Sequence, residues 1–448
     1  MAPDTTLIPL SSAQREALDD FLRQGPNPMH NMVLTLRLLG PLDANALSRA
    51  VDDVLLRHEP LRTSFPATDG DGPRYQAIFP GLPPTARMRQ TDNPASDTLD
   101  ILNAEYGRAF DPTVEVPIRV RLLRISEDEH VLCIVLHHIA GDGWSLRVLC
   151  DDLGTAYSAR KQGGSGAEPA WPPLEIRYSD YAYWQRDLLG DENDPASLAY
   201  RQLAYWRETL RGVPDELALP FDRPRPEVPS YHGVQLDANL DAGLHARLLE
   251  LARAMDVTLF MIAQAAVCVV LARHGAGTDI PLSSVLAGRV EAVLEPLVGN
   301  FVNVLVLRTD LSGDPTFREV LDRVRAADLA AYDHADLPFG RVCELLPRAP
   351  QTMIAFDTGG LEELELDGLV VIPEPITPTG AKRDLAFLFV DSYDQDGKPA
   401  GIAGALQYAS DLFDAPTVQL LADDLLRLLA VVAENPDIAC LSEGGLPR

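Results

Sequence analysis

Apolar positions in the first part of the chain follow two alternating periods. MVLTLRLLG (32–40) is a strand-like run, whereas 43–59 places Leu47, Val51, Val54 and Leu55 on one helical face behind Asp43, a natural cap. RYQAIF reads as a strand and 95 to about 110 as a helix; IRVRLLRI and HVLCIVLHH then form a hairpin across the polar turn SEDE. SLRVLCDDLGTAYSAR is a further helix, and the Gly/Pro/Ser-rich KQGGSGAEPAWPP (161–173) breaks the pattern. The expected lobes are therefore 1–173 and 174–448.

The second part repeats this texture. Helices are predicted near 241–254, 258–274, 316–332 and 416–434, the third opened by Asp314-Pro315 as cap and first-turn proline. Strands are predicted at DIPLSSVLAG, VNVLVLRTDL, QTMIAFDTG, GLVVIP, RDLAFLFVDSY and GALQYAS. Such alternation predicts two α/β lobes with mixed sheets.

Composition narrows the function classes. With 448 residues, 46% hydrophobic and 23% charged, the chain is long enough for two or three packed units of ordinary globular type. A formal charge of −28 repels phosphate backbones and anionic lipid, and no basic patch offsets it, so neither nucleic acid nor membrane is an expected partner. The apolar run LFMIAQAAVCVVLA is too short for a bilayer and contains Gln264. Five widely spaced cysteines without CxxC pairing read as reduced core thiols in the cytoplasm.

The chemistry concentrates in HHIAGDGWS (137–145), at the end of the apolar run VLCIVL. Neighbouring strand residues point to opposite faces, so His137 and His138 are not expected to share a metal. One ring enters the core and is fixed by hydrogen bonds; the other faces a cavity, where a neutral imidazole accepts a proton near pH 7. Gly143 brings an N–H to a bound carbonyl at a helix start. Asp142 is either part of the site or simply the helix cap.

The ordered set His-His-x-x-x-Asp-Gly resembles the signature of the condensation domains of non-ribosomal peptide synthetases. Other segments extend the resemblance almost end to end: LSSAQRE (10–16), RHEPLRTSF (57–65), YSDYAYWQ (178–185), LPFDRPRP (219–226), VGNFVNVLVLR (298–308), HADLPF (334–339) and LQYASDLFDAPTV (406–418). PRAPQTMIAFDTG departs from the family's seventh motif, and Gly340 stands where Glu is common.

The resemblance implies two chloramphenicol acetyltransferase-like lobes in a V-shaped pseudo-dimer around a central tunnel. It makes His138 the catalytic residue and His137 the structural ring, and pairs Asp142 with Arg62 in a supporting role. Gly143, Trp144, Ser145 and Asn303 are then the candidate substrate contacts. The partners would be donor and acceptor carrier proteins bearing phosphopantetheine, or a small-molecule acceptor; the chain itself would hold no cofactor or metal. The expected reaction joins a carrier-bound acyl thioester to an amine, or an alcohol, in an excised domain or a free-standing enzyme. A coenzyme A-dependent acyltransferase and a catalytically silent recruitment platform are the alternatives.

Overall fold

Strands Ile118–Arg124 and Glu129–His137 pair antiparallel across the SEDE turn, Leu122 opposite Leu132 and Ile118 opposite Leu136. They form the middle of a five-stranded sheet ordered Val370–Pro373, Asn31–Leu39, Glu129–His137, Ile118–Arg124, Arg89–Asp92. The last pair is parallel and the others antiparallel, giving the mixed sheet that the sequence predicted. The computed structural model describes residues 8–66, 74–92, 97–163, 166–358, 364–374, 376 and 380–442.

The two-residue period of Glu129–His137 decides what each face meets. Leu132, Ile134 and Leu136 join the core formed with helices Ala44–Arg57 and Gly143–Gly163. Val131, Cys133 and Val135 pack instead with Leu102 and Phe110, and His137 lies on that second face, its ring 5.9 Å from Phe110. Asp43 caps Ala44–Arg57 as expected, accepting from the N–H groups of Asn45 and Ala46.

A six-stranded sheet organises the remaining residues: Asn303–Asp310, Asp279–Leu286, Thr352–Thr358, Leu385–Tyr393, Pro399–Ala409, Gly233–Asp237. Thr352–Thr358 runs parallel to both neighbours, so this sheet is mixed too. Helices Ala242–Met255, Leu259–Leu271, Phe317–Tyr332 and Ala415–Glu434 supply its core. Leu259–Leu271 is buried without interruption from Met261 onward, which explains why it is apolar all round.

Two expectations need correction. Asp314 does not cap Phe317–Tyr332: Thr316 does, with Glu319 completing a reciprocal capping box. The Asp314 carboxylate instead accepts from the N–H groups of Leu441 and Ser442. The break at 161–173 also does not divide the chain. One compact unit comprises Met1–Gly190, Ala287–Val302 and Leu361–Thr377, and the other the remaining segments. Tyr178 and Tyr181 hold 174–190 in the first unit by packing on Leu294, Leu297 and Phe301, and Val370–Pro373 is an edge strand of its sheet.

Cys133, Cys150, Cys268 and Cys440 are buried free thiols, each pushed up to about 12 by burial; Cys343 is half-buried.

Candidate active site

The strand ends at His137, whose ring is 1% exposed. Its Nδ1 accepts the N–H of Ile139 at 3.1 Å, and its carbonyl accepts the N–H of Ala140 at 2.9 Å. An accepting Nδ1 places the proton of the neutral ring on Nε2, so the turn fixes both tautomer and orientation. His138 follows one residue later and is half-buried, anchored through its backbone N–H to the carbonyl of His30 at 2.8 Å. Of the two motif histidines, His137 is enclosed in the core and His138 is half-buried. Gly141 makes the turn possible, because a Cβ there would lie 2.4 Å from Cδ2 of Leu136.

Asp142 is both helix cap and charge partner. Its Oδ1 accepts the N–H of Ser145 at 2.8 Å, while Ser145 Oγ accepts the N–H of Asp142 at 3.2 Å, a reciprocal cap at the start of Gly143–Gly163. The same carboxylate meets Arg289 Nη2 at 3.0 Å through Oδ1 and 3.3 Å through Oδ2, and Oδ2 accepts the N–H of Phe301 at 3.1 Å. The Arg289 guanidinium also stacks 4.1 Å from the Phe301 ring and donates to the carbonyl of Leu294.

The expected Asp142–Arg62 pair is therefore absent, and Arg289 takes the place of Arg62. Arg62 stands at the end of the 3-10 turn Glu59–Arg62, where it donates to the carbonyl of Phe79 and has Glu59 and Arg177 as its charged neighbours. Burial holds its guanidinium below the usual range. RHEPLRTSF still reaches the helix of the motif, but through other residues: Arg57 Nε and His58 Nε2 lie 2.9 and 2.7 Å from Asp152 Oδ2. His58 is enclosed, and burial pushes its imidazole below its ordinary value.

The substrate candidates separate into two groups. Gly143 is exposed, and a Cβ added there meets nothing within 4 Å. Trp144 is 38% exposed, with Nε1 donating to the carbonyl of Glu295 at 2.9 Å and Arg147 lying 5.3 Å from its ring. Ser145, by contrast, is fully enclosed; its hydroxyl is engaged by Asp142, Arg289 and both backbone groups of Gly299. Asn303 donates from Nδ2 to the carbonyls of Ala335 and Leu337, both at 2.8 Å, and accepts from Val304 and Phe339. An amide has two donors and two acceptor sites, and all are used. Ser145 and Asn303 thus clamp backbone and have no capacity left for substrate.

Arg289 was missed because nothing in its local spacing marks it. The signal was Gly288 beside it: φ is +69°, and a Cβ would sit 1.9 Å from the carbonyl oxygen of Phe301, so only glycine makes this approach. Tyr178, in the segment YSDYAYWQ, is buried by packing on Tyr181 and Phe301. Its hydroxyl is bonded to Ser11 and Asn300 and pushed well above the ordinary phenol value by burial, and its ring lies where a Cβ on Gly299 would be. Among the described residues no group of three or more His, Cys, Asp or Glu is arranged for a metal.

The model of the condensation-domain family matches residues 5–446. The chain belongs to the condensation-domain family. A dimodular nonribosomal peptide synthase of Bacillus subtilis is 44% identical over 438 residues; the match takes in 96% of this chain and 18% of that synthase. The chain thus spans less than a fifth of that relative. An X-domain solved in complex with OxyB, from teicoplanin biosynthesis, is 37% identical with a TM-score of 0.88, covering 99% of this chain and 97% of the other. The first condensation domain of the CDA synthetase superposes with a TM-score of 0.78 at 19% identity, covering 97% of this chain and 98% of the other, and shows the shared fold. The fold of this condensation-domain chain is chloramphenicol acetyltransferase-like, as the motifs implied.

Proposed function

We propose that this domain joins an acyl group, held as a thioester on the phosphopantetheine of a donor carrier protein, to an amine presented by an acceptor. The observation that carries the reading is the intact motif in its locked form: His137 fixed by Ile139 and Asp142 fixed by Arg289, with the half-buried His138 following His137 in the same turn. In the reaction the amine nitrogen bonds to the thioester carbon, the carbon–sulfur bond breaks, and the thiol leaves. The ammonium proton passes to His138 as general base and on to the departing sulfur, or His138 orients the amine while solvent takes it.

A thioester is already activated, so this chain's contribution is orientation, worth ~7 kcal/mol or more, and management of one proton, worth a factor of ~10²–10⁴. Gly143 and Trp144 are assigned to substrate contact, an assignment supported by their exposure. The phosphopantetheine arrives with the carrier proteins and is part of the substrate. An alcohol in place of the amine would give an ester by the same steps. A cytoplasmic setting fits the free thiols.

The second reading, a silent platform that binds a partner protein, draws on the likeness to the X-domain solved with OxyB. The intact His137–His138 pair favours catalysis over it. Incubation with acyl-loaded carriers and a panel of amine and alcohol acceptors, read by intact mass, tests the choice. Product formation supports the condensation enzyme; no product from any loaded carrier, with a partner protein still bound, supports the platform.

A further inference from the structure

His137 shares its face of the five-stranded sheet with an arginine outside the histidine motif. Arg119 stands opposite Val135 in the strand pairing, and its neighbour but one, Pro117, accepts the N–H of His137 at 2.9 Å. Arg119 is buried, with its guanidinium carbon 3.6 Å from the centre of the Phe110 ring. Phe110 in turn meets the His137 ring at 5.9 Å, the two planes 82° apart. Cation, phenyl ring and imidazole thus form one continuous series of contacts.

Two side chains clamp the segment that carries Phe110. Arg119 Nη2 donates to the carbonyls of Glu105 and Arg108 at 3.2 and 2.5 Å. Asn31, paired directly with His137 in the neighbouring strand, donates from Nδ2 to the carbonyls of Tyr106 and Arg108 at 2.6 and 2.9 Å. Fold stability alone accounts poorly for the arginine. Among the described residues its Nε and Nη1 have no hydrogen-bond partner, the Glu105 carboxylate lies 3.8 Å from Nε, and burial holds the guanidinium below its usual range. A half-satisfied buried cation is costly, whereas an apolar side chain would pack on Phe110 without that cost. What Arg119 adds is direction. A planar cation against the ring, tied at one end to two carbonyls, holds Phe110 in one setting, and Phe110 limits the tilt of His137. His137 accepts the N–H of Ile139, so its tilt sets the turn that carries His138.

We infer that Arg119 is a positioning residue for the reaction, acting through Phe110 and His137 on the turn that presents His138. The inference rests on the proposed role of His138, but half of its test does not. Heavy-nitrogen labelling of histidine in the full chain, read by NMR without substrate, reports the His137 ring directly. Arg119→Met, which keeps the length but removes charge and donors, is expected to shift the His137 ring nitrogens. With donor-loaded carrier and acceptor, the same variant should lower kcat about tenfold or more while KM stays within about twofold. Arg119→Lys, which keeps the charge, recovers part of the loss. Unchanged His137 nitrogens, an unchanged kcat, a change in KM alone, or a lysine variant no better than the methionine one overturns the inference. Urea midpoints confirm that the variants are folded; should Arg119→Met fail to fold, Phe110→Leu interrupts the same series and gives the same two readouts. Should His138→Ala turn over fully, the role of His138 fails, while the coupling of Arg119 to His137 still stands or falls by the NMR shift.

Discussion

Asp142 and Arg289 meet at 3.0 Å with side chains only 2% and 3% exposed, so the motif's carboxylate is neutralised in a site water scarcely reaches. Removing one member of such a pair leaves the other charged and enclosed. Arg289→Ala is expected to lower stability by about 3–5 kcal/mol in urea unfolding. Arg62→Ala, which loses one bond to the Phe79 carbonyl, should cost about 1 kcal/mol. The reverse ranking would restore Arg62 as the partner of Asp142.

The two motif glycines should behave oppositely. Gly141→Ala forces a Cβ to within 2.4 Å of Leu136 and should cost about 1–3 kcal/mol. Gly143→Ala meets nothing and should leave the unfolding midpoint nearly unchanged. If Gly143→Ala nevertheless loses product formation, the loss reports a substrate passing close to that backbone; full activity would remove Gly143 from the substrate contacts.

Asn303→Ala should act as a structural lesion. Four hydrogen bonds to the backbone around 304 and 335–339 disappear together, and stability should fall by about 2–4 kcal/mol at roughly 1 kcal/mol per bond. A variant with full stability and a raised KM would instead show Asn303 to be a substrate contact.

The second unit contains a buried carboxyl, Asp328, that burial pushes up to about 7; Gln264 donates to its Oδ1 at 3.0 Å. An ordinary aspartate titrates near 3.8, so between these limits the folded chain binds more protons than the unfolded one, and stability falls as pH rises. The contribution is complete below about pH 4 and lost above about pH 7, with a slope of at most about 1.4 kcal/mol per pH unit. Asp328→Asn should flatten that part of the profile. Identical pH dependence in both proteins, followed by urea midpoints from pH 4 to 8, would contradict the shift.

What the sequence disclosed was mostly local. Leu47, Val51, Val54 and Leu55 fixed the face of Ala44–Arg57 and Asp43 its start, because period and cap lie within one turn of each other. Strand alternation foretold that one histidine of the pair would be enclosed. Long-range pairings were not legible: Val370–Pro373 joins Leu36–Leu39 across more than three hundred residues, and Arg289 reaches Asp142 from a loop whose only local mark is Gly288. Arg62 was the wrong choice because motif membership does not say which way a side chain leaves a 3-10 turn. Ser145 and Asn303 were misassigned for a related reason: a polar side chain beside a motif is as readily consumed by backbone as by ligand.

The most direct measurement is product formation by His138→Ala with donor-loaded carrier and acceptor. Loss of a factor of about 10² or more, with the unfolding midpoint and carrier binding preserved, is the expected result. Undiminished turnover by the folded variant would contradict the assignment of His138 to the reaction.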